Sequence, residues 1–272
     1  MKKKIGIVGC GAIGSSLAKA IVASFAQEAK LCSLYDLNGG LSMRLSREVS
    51  GSPGLSMENP GQLIKKSDLV IEAASAKVSW GIAKAVLSSG KDVMIMSVGG
   101  VSNRLKELTS LARKNNARVY IPSGAIAGID ALKAAGVGRI NKVVLTTTKN
   151  PLSFKGVKYL EDKRIDLAGI KKETVLFSGK AAEAVKYFPQ NINVAAVLSL
   201  AGIGENKTQV RIIVSPKVAK NTHEIRIESP AASIFTRTEN TLHPDNPKTS
   251  FLAVLSAVAM LRNILEPVRI GT

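Results

Sequence analysis

Two histidines and two cysteines in 272 residues leave little from which to build a metal centre or a disulfide framework. Cys10 stands beside a glycine-rich loop and Cys32 in an apolar run, so both read as small core side chains in a reducing, cytoplasmic setting. No stretch approaches the roughly 18 uninterrupted apolar residues of a membrane span. The opening MKKKIGIVGCGAIG is basic and then apolar, but glycine breaks the apolar part short of a signal-peptide core. Aromatics make up only 4% of the chain, too few for a base-stacking platform. Acids are also scarce, 20 against 38 Lys and Arg, for a formal charge of +18. That surplus raises nucleic acid as a partner, yet the cations are spread from Lys2 to Arg269 without a long basic block. A general field that draws small anions fits at least as well, and the expectation is no nucleic-acid and no membrane partner.

What is present is a change of pattern near the middle. The length suits two lobes, and neither an internal repeat nor a low-complexity linker interrupts it. Over residues 1–122, the short runs IGIVG, LCSLY, DLVIEAA, DVMIM and RVYIP alternate with helical patterns such as SSLAKAIVASFA and RLKELTSLARKN. Strands and helices alternating at this spacing predict an α/β, doubly wound parallel sheet. From Ile140 on, KVVLTTTK, ETVLFSG, TQVRIIVSP and THEIRIES read as longer strands with only two helical stretches between them. They predict a second, α+β domain over 123–248 with an open, mainly antiparallel sheet. The final segment, about 249–272, holds a helix apolar nearly all round that Thr249 or Ser250 can cap. Such a helix needs burial on several sides, against the first lobe or at a subunit interface.

Gly9, Gly11 and Gly14 form G-x-G-x-x-G directly after a predicted strand and at the start of a predicted helix, the placement that the dinucleotide fingerprint requires. Gly9 permits the tight turn, Gly11 leaves room for a pyrophosphate, and Gly14 lets helix and strand approach. Ala12 and Ile13 complete the loop, and the helix N-terminus supplies free N–H groups for the phosphates. Asp36 closes the second strand 22 residues after Gly14, near the separation usual for a carboxylate that binds the adenosine ribose. It favours NAD over NADP by repelling a 2′-phosphate, a preference that Arg44 and Arg47 soften.

Three later segments are too polar for packing alone. In SGAIAGIDAL, the small residues Gly124, Ala125, Ala127 and Gly128 would let a flat ring approach, or make a tight turn for helix packing. In FPQNINVAAVLSLAG, Asn191 and Asn193 precede an apolar helix and serve either as N-caps or as ligands. In KNTHEIRIES, His223, Ile225 and Ile227 share the covered face of a strand, so His223 is either a hydrogen-bonded core residue or a catalytic acid/base. His243, between residues that impose an extended, proline-restricted loop, reads as a solvated histidine or a rival for that role.

Taken together and in order, GIVGCGAIG, SGAIAGIDAL, FPQNINVAAVLSLAG, NTHEI and HPDNPKTSFLA resemble the L-aspartate dehydrogenase family. The resemblance implies a Rossmann lobe, a substrate lobe with an open sheet, a homodimer, and NAD- or NADP-dependent oxidative deamination of L-aspartate to iminoaspartate. It places the catalytic histidine at His223. The cofactor-contacting alanine and asparagine fall at Ala127 and Asn193, with Ala125 beside them in the cofactor set and Asn191 in the substrate set. One departure is Ser215 before Pro216, where an acidic residue is expected. The substrate brings two carboxylates, and Lys248 with Thr249 and Ser250 is the candidate partner for one of them. The family further implies that iminoaspartate passes to quinolinate synthase on the way to NAD, and that oxaloacetate and ammonia are the substrates of the reverse reaction. The rivals are a two-lobed enzyme of the homoserine dehydrogenase or dihydrodipicolinate reductase type, and a catalytically silent NAD-binding regulator.

Overall fold

The computed structural model describes residues 1–188, 193–244 and 246–271, with Pro247 and Lys248 described by backbone alone. The chain divides into two compact units, Met1–Pro122 with Val254–Ile270, and Ser123–Ala253 with Gly271.

The first unit is wound around five strands: β1 (Lys3–Val8), β2 (Ala29–Tyr35), β3 (Leu69–Glu72), β4 (Asp92–Ile95) and β5 (Val119–Tyr120). Helices α1 (Ala12–Ser24), α2 (Gly39–Ser50), α3 (Pro60–Lys66), α4 (Ala76–Ser88) and α5 (Leu105–Lys114) fill the intervals. The strands are all parallel, in the order β2-β1-β3-β4-β5. Parallel strands are covered on both faces and read as unbroken apolar runs; accordingly Leu69, Val70 and Ile71 are all fully buried. The order reverses between β1 and β3, and at such a switch point a crevice opens beyond the carboxyl ends of the strands. Both Gly9 and Ala73 leave the sheet there, since Val8 pairs with Glu72 at the ends of β1 and β3.

The second unit contains α6 (Ile129–Val137), β6 (Lys142–Lys149), α7 (Lys158–Asp162), β7 (Thr174–Lys180), α8 (Ala181–Tyr187) and α9 (Asn193–Ala201). It continues through β8 (Gln209–Val214), β9 (Asn221–Glu228), β10 (Ser233–Asn240) and a short hairpin of β11 (Leu242–His243) and β12 (Asn246–Ser250). Its main sheet runs β10-β9-β6-β8-β7. The sheet is mainly antiparallel, as expected, but β6 and β8 pair in parallel at its centre. Five of the chain's few aromatic side chains, Phe154, Tyr159, Phe177, Tyr187 and Phe188, cluster in this unit's core.

Helix α10 (Phe251–Leu265) carries the chain back. Its stripe of Val254, Ala257 and Leu261 is buried, and Ala257 and Leu261 join the core that holds Ile5, Ile7 and Leu17. The return to the first unit begins at Val254, later than the expected residue 249, because Asn246–Ser250 is a strand of the second unit.

Candidate active site

The glycine loop is shaped for close approach from one side only. Gly9 has φ +95°, and a Cβ there would sit 2.5 Å from the Ala73 backbone. A Cβ on Gly14 would overlap the Gly9 carbonyl oxygen, so only glycine lets α1 pack on the turn. At Gly11 nothing lies within 4 Å of the same construction, so that side of the loop is open. Helix α1 begins directly after Gly11 with no side-chain cap and no acidic residue in its first turn. Its N–H groups and the positive end of its dipole therefore face the opening with no acidic side chain in its own first turn to answer them, and the residues present fit a dinucleotide pyrophosphate.

Asp36 ends the neighbouring strand. Its Oδ2 accepts from the Cys10 N–H at 2.7 Å and its Oδ1 from the Asn38 N–H at 2.9 Å, which fixes the carboxylate beside the glycine loop. A groove of about 350 Å³ opens there, lined by Asp36, Leu37, Met43, Pro53 and Met57. A polar rim on an apolar floor suits a purine nucleoside. Burial and the Asp36 charge push the Cys10 thiol up to about 12, so it stays protonated and inert. Arg44 and Arg47 are exposed on α2.

In the second unit, strand parity puts His223 on the covered face, where it is 4% exposed in line with Ile225 and Ile227. Its Nδ1 lies 3.0 Å from Thr147 Oγ1 on β6, directly across the ladder. Two residues further along the same face of β6 stands Lys149, partly covered. Burial first, and then the Lys149 charge, bring the His223 pKa down to about 3. Burial alone brings Lys149 down to about 8. His223 is thus held neutral at physiological pH, beside a Lys149 that still carries its charge but gives up its proton more readily than an exposed lysine.

The SGAIAG segment is tied along the edge of the same strands. Thr238 Oγ1 and Asn240 Nδ2 both donate to the Ala125 carbonyl at 3.1 Å, and Thr236 Oγ1 donates to the Ala127 carbonyl at 3.2 Å. Thr238 also pairs with His223 in the β9–β10 ladder, so the segment is anchored beside the imidazole strand. Ala125 is buried while Ala127 is exposed, and Gly128 has φ +91° with Thr236 against its α-carbon. The Asn240 Oδ1 is buried and finds no hydrogen-bond partner among the described residues.

The remaining candidates are more dispersed. Asn193 is the exposed first residue inside α9, not the cap before it, and Asn191 lies outside the described residues. Thr249 and Ser250 are in β12, with Ser250 alone immediately before α10, while the Lys248 side chain is outside what is described. His243 departs from the solvated loop expected for it. It is 4% exposed in a hairpin strand, its ring edge-on to Phe251 with centroids 5.5 Å apart. Phe251 supplies apolar cover that the flanking prolines gave no sign of.

Sequence reasoning passed over Lys149, Thr147, Asn240 and a fully buried Glu72 at the end of β3. The alternation Val143, Leu145, Thr147, Lys149 already places the lysine on the apolar side of its strand, which is the signal that could have found it.

A glycine turn shaped in this way at the switch point of a parallel sheet, in a chain with a second unit that carries a buried histidine beside a lysine, belongs to one class: the chain is an NAD(P)-dependent oxidoreductase. A family model described as aspartate dehydrogenase, C-terminal, matches residues 130–264, and one described as homoserine dehydrogenase, NAD binding domain, matches residues 9–122. The L-aspartate dehydrogenases of Methanococcoides burtonii and Methanosarcina barkeri are 43% and 44% identical to it, each over 99% of both chains. The crystal structure of aspartate dehydrogenase from Thermotoga maritima matches it with a TM-score of 0.76 at 26% identity, covering 100% of both chains. The chain belongs to the L-aspartate dehydrogenase family.

Proposed function

We propose that this enzyme oxidises L-aspartate to iminoaspartate, with His223 as the acid–base residue. The observation that carries the reading is the His223–Thr147–Lys149 cluster, within the unit that the aspartate dehydrogenase model matches. When bound, the nicotinamide supplies the hydride acceptor. Gly9, Gly11 and Gly14, with Ala12 and Ile13 at the start of α1, hold the pyrophosphate, and Asp36 holds the adenosine ribose. Ala125, Ala127 and Asn193 complete the cofactor set, and Asn191, Lys248, Thr249 and Ser250 remain candidates for the substrate.

Hydride can leave C2 only when the substrate amine is neutral, so the chain must take a proton from the ammonium group. With Nδ1–H donating to Thr147, the Nε2 lone pair of His223 is free to accept it. An imidazole with a pKa of about 3 is a weak base, but the substrate corrects this. Two arriving carboxylates favour the protonated forms of both His223 and Lys149 and raise both pKa values. Lys149, already charged at neutral pH, is thereby fixed as the partner of one carboxylate, and His223 becomes a stronger base. We further read the enzyme as a cytoplasmic homodimer. Its product would pass to quinolinate synthase in the synthesis of NAD, and oxaloacetate with ammonia would be the substrates of the reverse reaction.

The test is reduction of NAD by purified protein across a panel of amino acids and hydroxy acids. L-Aspartate should be the preferred donor, and His223→Ala should lower kcat by about 10²- to 10⁴-fold while NAD still binds. Preferential oxidation of homoserine, or a His223→Ala enzyme of undiminished kcat, would overturn the assignment.

A further inference from the structure

Glu72 is fully buried at the switch point of the first sheet, and the reaction described above makes no use of it. Its carboxylate gathers three separate pieces of chain. Oε1 accepts from the Ala74 N–H at 2.9 Å, in the turn after β3. Oε2 accepts from the Ser79 hydroxyl at 2.9 Å, in the first turns of α4, and from the Ser97 N–H at 3.1 Å, just beyond β4. All three partners donate, so only a side chain that is all acceptor answers them together. A glutamine would set its own N–H₂ against at least one of them.

The turn so fixed is the one that meets the glycine loop. A Cβ on Gly9 would lie 2.6 Å from the Ala74 nitrogen, so Gly9 is in contact with the same peptide that Oε1 holds. From the other side Gly100 is pressed equally close, since a Cβ there would overlap the Ala76 carbonyl oxygen. We propose that Glu72 is the positioning residue of the dinucleotide platform: it sets the Ala73–Ala74 peptide against which Gly9 turns, and locks it to the segment after β4. Burial raises the Glu72 pKa, the donors oppose that rise, and the set of donors includes no cation. The group is therefore held by geometry that a substitution cannot reproduce. This inference rests on the reading of the glycine loop as the cofactor site.

The experiment measures NAD affinity by titration calorimetry, and amide exchange at residues 9–14 and 73–79, in Glu72→Gln and in the milder Ser79→Ala. Glu72→Gln should weaken NAD binding about tenfold and Ser79→Ala about threefold, with faster exchange in both segments. Val86→Ala, a cavity in the same layer at a fully buried position, serves as the destabilised control and should keep NAD affinity within about twofold despite a lower Tm. Parent-like NAD affinity in folded Glu72→Gln and Ser79→Ala overturns the proposal, as does an equal loss of affinity in Val86→Ala. Should Glu72→Gln fail to fold, Ser79→Ala decides. Gly11→Val separates the two levels: if it binds NAD normally, the cofactor reading of the loop fails, not the role of Glu72 within it.

Discussion

Acidification should destabilise the second unit through His223, by an amount that its burial sets. In the unfolded chain the imidazole titrates near 6.5, whereas in the fold burial and the Lys149 charge hold it down to about 3. A folded pKa below the unfolded one means that, under acid conditions, the unfolded state binds a proton that the folded state refuses. The contribution is thus complete above pH 6.5 and is lost as the pH falls from 6.5 towards 3. Each pH unit in that window costs about 1.4 kcal/mol, so a step from about pH 7.5 to about pH 5 costs about 2 kcal/mol. For a unit of this size that is a fall of roughly 6–10 °C in Tm. Lys149 titrates near 8 in the fold and higher in the unfolded chain, so its window lies above this one. Calorimetry of the ligand-free parent and of His223→Asn at both pH values isolates the effect, because all other groups are common to both proteins. The parent should lose about 2 kcal/mol more than the variant. Parallel losses in the two would show that His223 is hydrated and that the buried cluster described above is not maintained in solution.

Other positions give independent tests. Gly11→Val places a side chain where nothing now lies within 4 Å, and should weaken NAD binding by well over tenfold while the far-UV circular dichroism is unchanged. Asp36→Ser removes a like charge from the place of a 2′-phosphate, so the ratio of kcat/KM for NADP to that for NAD should rise by about tenfold or more. Lys149→Met should raise KM for aspartate by roughly 10- to 100-fold and move the acidic limb of the kcat/KM profile upward, since His223 loses a neighbouring positive charge. A change in kcat alone would argue against a carboxylate partner at this position.

Much of the fold was legible because its signals are periodic. The first sheet announced itself through runs such as DLVIEAA, in which burial on both faces demands unbroken apolarity, and His223 through the parity of THEIRI. Strand β10 gave no such signal. Its inward residues include Thr236, Thr238 and Asn240, and they are polar because they bond the carbonyls of Ala125 and Ala127 in place of packing against apolar groups. Glu72 was invisible for a related reason, since the Ala74 and Ser97 N–H groups that hold it are backbone, which leaves no trace in a sequence. Lys149 was legible by parity but was masked by its type, because a lysine at a strand end is ordinarily solvated.

The return of α10 to the first core bears on how the protein is made. Ala257 and Leu261 fill the same cluster as Ile5 and Leu17, so the unit begun by β1 is completed only by α10, after the whole of the second sheet. On the ribosome, the second unit emerges whole while the first still lacks part of its core. The nascent first unit must therefore wait with apolar surface uncovered until α10 has been made. A chain that stops before α10 should keep the strands of its second unit and lose the NAD platform, leaving a product without the means to turn over.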